Sequence, residues 1–191
     1  RDLHRSGSNN SALAFYRAIT ISWIGTMKTL FVVRHAKSAW DDPRLSDKER
    51  ILNDRGRHDA PMMAAYVAKH HPHPSLLISS TATRAWTTAQ AFVDAFELSK
   101  DSVQQTDAIY EAPLSSLLHV VDAIDDGVDV AMIVGHNPGV TELVRSLSGE
   151  TFTHMPTCGV VILQFTHANV WQEIAKGTGS IKAFLYPKMF A

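Results

Sequence analysis

Short continuous apolar runs that alternate with stretches of helical periodicity constrain this 191-residue chain more than any other feature. Leu30–Val33 reads as a first strand, Leu76–Ile78 as a second, Val130–Val134 as a third and Val160–Phe165 as a further one near the end. Runs of this kind suit strands covered on both faces. Between them, Ala85, Thr88, Ala89, Phe92, Val93 and Phe96 recur at helical spacing. So do Val140, Leu143, Val144 and Leu147, and the shorter set Leu117, Leu118, Val121 and Ile124. Asn53 is placed to cap a helix carrying Ala60, Met63, Ala64 and Val67. With a weaker strand near "SVQQTDAIY", the order predicts a three-layer α/β/α domain around a mostly parallel central sheet.

Composition narrows what such a domain can do. Lys and Arg number 18 against 19 Asp and Glu, a formal net charge of −1, so no global field points to nucleic acid or an anionic membrane. Any anion site must be local. The single cysteine, Cys158, excludes an internal disulfide framework and suits a reducing compartment; it reads as core. No apolar run approaches a membrane span. Residues 1–26 are rich in Ser and Arg and poor in acid, and "MKTLFVV" from Met27 looks like a natural beginning. The segment reads as a leader, a cloning remnant or a mistaken upstream start, outside a catalytic domain of residues 27–191. A cytoplasmic location is expected, with organelle targeting by the leader as the alternative.

Ligands of open α/β sheets bind beyond the carboxyl ends of the strands. Three strand ends here carry unusual residues: Arg34-His35 after the first, Arg84 in "LLISSTATRAWTTA" after the second, and "VGHNPG" with His136 and Asn137 after the third. A parallel sheet brings them to one rim. Histidine offers a basic nitrogen that can attack phosphorus, provided an acceptor holds the other ring N–H. Arg34 and Arg84 supply planar donors for phosphoryl oxygens, His136 adds a hydrogen bond, and helix amides after Asn137 add partial positive charge. Each element alone has a plainer reading: a solvated strand end, an exposed arginine, a turn with Pro138 at the first helical position. Their succession on neighbouring strand ends argues against that.

"VVRHAKS", "SSTATRAWTTA" and "IVGHNPG" resemble the signature segments of the histidine phosphatase superfamily, in the same order. The alanine after His35, with "LNDRGRHDAP" and "IYEAP", is similar to the branch of SixA-type phosphohistidine phosphatases. The resemblance implies a phosphoglycerate-mutase-like fold, His35 as phosphorylated nucleophile, and Arg34, Arg84 and His136 as the phosphate pocket. Glu111 is the best candidate for a general acid, with Asp107 next. The implied enzyme is a metal-independent phosphatase without a cofactor, acting on phosphohistidine of a phosphorylated protein. A phosphomonoesterase for a small phosphate ester is the alternative, and a non-catalytic phosphate-binding module the weaker one. Lack of a large insertion predicts a shallow, open pocket. "KHHPHP" is expected to hold no structured metal site, and "DDPRLSDKERILNDRGR" reads as a solvated loop able to overhang the pocket.

Overall fold

The computed structural model describes residues 27–40 and 42–190, so the leader assigned to residues 1–26 lies outside them. Six strands form one sheet in the order β3-β2-β4-β1-β5-β6. They are β1 Lys28–Arg34, β2 Leu76–Ser80, β3 Val103–Thr106, β4 Val130–Gly135, β5 Val160–Phe165 and β6 Ser180–Leu185. The first four run parallel, whereas β5 is antiparallel to β1 and β6 antiparallel to β5. Among the described residues, four helices complete the layers: α1 Asp54–His70, α2 Thr83–Ala95, α3 Leu114–Asp122 and α4 Gly139–Ser148.

The apolar runs explain the layering. Central β1 sends Leu30 and Val32 into a cluster with Leu117, Val121, Val140 and Leu143 of α3 and α4. Its alternate residues, Phe31 and Val33, pack with Met63 and Val67 of α1 and Ala89 and Phe92 of α2. A strand buried on both faces needs no polar alternation, and a one-residue slip would exchange the two cores. Phe31 alone, fully buried, contributes about 2–3 kcal/mol of transfer free energy. The Asn53 cap forms as expected, its side chain accepting from the Gly56 amide at 2.9 Å.

Lys28 anchors the far end of β1 from the rim. Its ammonium is buried but donates to the Asp126 and Val128 carbonyls and to the Asp129 carboxylate, at 2.7, 3.1 and 2.9 Å. Three protons with three acceptors make that burial tolerable. Among the described residues, no helix is long and apolar enough to cross a membrane.

Candidate active site

Because β1, β2 and β4 are parallel neighbours, their carboxyl ends deliver Arg34-His35, Ser80 and His136 to one edge of the sheet. The His35 amide donates to Gly135 O at 3.0 Å, and its carbonyl accepts from Cys158 N at 3.1 Å. The residue after it is tied down as well: Thr88 Oγ1 accepts from Ala36 N at 2.9 Å while donating to Arg84 O at 2.7 Å. Gly56 presses on this turn so closely that a Cβ would lie 2.2 Å from Lys37 O. Only glycine admits α1 there.

His35 Nδ1 pairs with its neighbour's carbonyl, Ala36 O, at 2.7 Å. A carbonyl only accepts, so the ring proton sits on Nδ1 and Nε2 keeps its lone pair. Burial, then the neighbouring His136, Arg84 and Arg34, push the His35 pKa down to about 3, although the Ala36 bond works the other way. His136 is lowered to about 4, by burial first and then by Arg84, with Arg34 and Arg50 adding to it and Asp47 opposing. Both rings are therefore neutral at pH 7. Their centroids lie 5.0 Å apart.

His136 Nε2 meets Ser80 Oγ at 2.8 Å, and Ser80 Oγ accepts from Ala82 N at 3.3 Å. With the hydroxyl proton directed to Nε2, His136 carries its own proton on Nδ1, which is buried and has no partner within the protein. Arg34 Nε and Arg84 Nε share that condition. One arm of the Arg34 fork is engaged, Nη1 donating to Met155 O at 2.8 Å. Buried donors without partners are uncommon, and a set of them on the residues whose charges act on His35 suits an anion.

The segment expected to be solvated does overhang the site, and it carries residues that sequence reasoning passed over. Asp47, opening the 3-10 turn Asp47–Glu49, accepts from Arg84 Nη2 at 2.8 Å and from the Tyr110 hydroxyl at 2.9 Å, both at Oδ2. Arg84 Nη1 also donates to the Asp47 carbonyl. Partial burial works against ionisation of Asp47, but Tyr110, Arg84 and Arg50 hold its carboxyl below the usual range. The Tyr110 ring meets His136 edge-on at 5.7 Å. His35, Arg84 and His136 are consequently only 8, 2 and 5% exposed, a more covered floor than the shallow pocket expected. An acid three residues before a base, Asp47 and Arg50, was the available signal.

Other candidates are placed differently. Asn137 holds the neighbouring loop: its Nδ2 donates to Met155 O at 3.0 Å and its Oδ1 accepts from Thr141 Oγ1 at 2.8 Å. The helix begins at Gly139, with Pro138 as its cap rather than its first residue. Glu111 is exposed at the rim beside Tyr110, with a left-handed backbone of φ 46°. Gly139 lets that loop approach, since a Cβ there would lie 2.4 Å from Ala112 O. Asp107 is bound by Lys48 at 2.6 Å and by the Thr81 hydroxyl, which hold its carboxyl low and unsuited to donating a proton. Burial pushes the Cys158 thiol up, in keeping with a core residue. Among the described residues, no group of three or more His, Cys, Asp or Glu could hold a metal ion.

Residues 30–117 match the family model of the histidine phosphatase superfamily, branch 1. An uncharacterised chloroplastic protein of Arabidopsis thaliana is 32% identical over 154 residues, 76% of this chain and 70% of that protein. A crystal structure assigned as the phosphohistidine phosphatase SixA of Agrobacterium tumefaciens superposes with a TM-score of 0.71 at 29% identity, covering 84% of this chain and 98% of that one. The protein histidine phosphatase SixA complexed with tungstate shares the fold, with a TM-score of 0.72 at 20% identity over 85% of this chain and 99% of that one. Fold and sequence together make the chain a phosphatase by class. It belongs to the histidine phosphatase superfamily.

Proposed function

We infer that residues 27–191 act as a metal-independent phosphatase whose nucleophile is His35. The observation that carries this reading is the bare Nε2 of His35, set by the Nδ1–Ala36 bond, with buried, unpartnered N–H groups on its neighbours Arg34, Arg84 and His136. Nε2 attacks phosphorus, a P–N bond forms, and the bond to the leaving group breaks with its electron pair departing on that group. Arg34, Arg84 and His136 Nδ1 supply hydrogen bonds as charge spreads over the phosphoryl oxygens, the main catalytic need of phosphoryl transfer. Water then attacks phospho-His35, releasing inorganic phosphate and restoring the imidazole. The same guanidiniums neutralise charge that a metal ion would otherwise have to meet.

Phosphohistidine on a protein is the preferred substrate in this reading, supported by the similarity to the Agrobacterium SixA protein. Its leaving imidazole requires little help from an acid. A small phosphate ester is the second reading, favoured by Glu111 at the rim and by the covered floor. An assay of a phosphohistidine protein against a panel of phosphate esters, run with and without exhaustive chelation, tests both. Fastest turnover of phosphohistidine, unaffected by the chelator, is expected. Preference for an ester would move the assignment to the second reading, and loss restored by a divalent ion would overturn metal independence.

A further inference from the structure

Arg50 stands in the loop over the site, whose base is pinned by the Ser38–Leu52 bridge and by Ala39 N donating to Ile51 O at 2.9 Å. Its side chain is only 12% exposed. One arm is engaged, Nη2 lying 2.9 Å from Asp47 Oδ1, while Nε and Nη1 are buried without a partner. The guanidinium carbon sits 3.4 Å from the centroid of the Trp40 ring. Stacking of this kind fixes the plane of the fork and leaves its edge free to donate.

The partner of that engaged arm locates the rest. Asp47 gives Oδ1 to Arg50 and Oδ2 to Arg84, so a single carboxylate spans both guanidiniums. Asp47 therefore ties Arg50 to Arg84 beside Tyr110, whose ring contacts His136, and Arg50 stands near enough to His136 to help lower its pKa. An ion pair that merely closed the loop would need only Nη2. Two further buried N–H groups left unpaired would carry a penalty for no gain.

We propose that Arg50 is a third phosphoryl-binding guanidinium, donating from Nε and Nη1 to the phosphoryl oxygens, with Asp47 and Trp40 as its positioning residues. The proposal deepens the reading of the His35 site and rests on it. A tetrahedral dianion suits such a site, since its several oxygens spread more negative charge than two arginines alone would meet.

Calorimetric titration with tungstate, a tetrahedral dianion, tests this on the full chain. The wild-type protein is expected to bind it, and Arg84→Ala to abolish measurable binding. Arg50→Ala is expected to weaken binding about 10- to 100-fold, the loss of hydrogen bonds to a charged group. Arg50→Lys keeps a charge opposite Asp47, and so the fold, but lacks the fork; it should weaken binding nearly as much with an unchanged thermal midpoint. Trp40→Ala should weaken it less. Wild-type affinity in both Arg50 variants, with Arg84→Ala defective, overturns the role of Arg50 and leaves the His35 site intact. Failure of the wild-type protein to bind, or full binding by Arg84→Ala, sinks the site reading itself and the Arg50 proposal with it.

Discussion

The imidazoles of His35 and His136 face one another with centroids 5.0 Å apart and planes tilted by 52°, both buried beside arginines. Such neighbours make a proton on either ring unfavourable. A nucleophile needs that state, because only the unprotonated nitrogen attacks. NMR titration of the ring protons should find both histidines uncharged down to about pH 5, with values near 3 and 4. Titration of His35 near 6.5 would contradict this electrostatic picture.

The same depression affects stability. In the unfolded chain each ring takes up a proton near pH 6.5, whereas in the folded chain it does so only near 3 and 4. Between these limits the unfolded state binds more protons, so the contribution is complete above about 6.5 and is lost as pH falls toward 4 and then 3. Chemical denaturation at stepped pH should show a decline beginning near 6.5 that is reduced in His136→Phe. An identical pH dependence in the variant would assign the loss to other groups.

Asp47 balances two guanidiniums, and removing its charge should expose their repulsion. Asp47→Asn retains the shape and is expected to cost about 1–3 kcal/mol, less than a fully buried pair because Asp47 is partly exposed. Inorganic phosphate at millimolar concentration should restore more of the thermal midpoint in the variant than in the wild-type protein. Equal phosphate responses would mean that the carboxylate does not sit where the anion binds.

Much of this was legible because the residues that matter end strands. His35, Arg84 and His136 each follow an apolar run, so a parallel sheet was enough to gather them. The direction of β5 was not legible, since a buried run such as "VVILQF" reads the same parallel or antiparallel. β6 escaped notice because "SIKAFL" mixes polar and apolar residues, as a half-exposed edge strand does. Asp47 and Arg50 were hidden for another reason. A segment dense in both charges looks solvated until a tertiary partner, here Arg84, draws part of it inward. Asn137 shows the converse, a motif residue whose amide is committed to bracing the loop at Met155.

Glu111 separates the substrate classes through leaving-group chemistry. Its left-handed backbone costs on the order of 1 kcal/mol in a residue other than glycine, and such strain gathers at functional positions. General acid catalysis contributes roughly 10²–10⁴-fold only where a proton must reach the departing atom. With Glu111→Gln, kcat/KM should therefore fall most for an alkyl phosphate, less for an activated aryl phosphate and least for phosphohistidine. A uniform loss would make Glu111 structural or a water-positioning group, and no loss on any substrate would make it a bystander.

The covalent intermediate is the centre of the account, and brief incubation with ³²P-labelled substrate followed by rapid quenching tests it most directly. The wild-type protein should retain label that is stable to base and released by acid, as expected of a P–N bond, with the label mapping to His35. His35→Ala, with no other nitrogen placed to take the phosphoryl group, should retain none and should not turn over substrate. Undiminished label in His35→Ala, or full turnover without His35, would contradict the account.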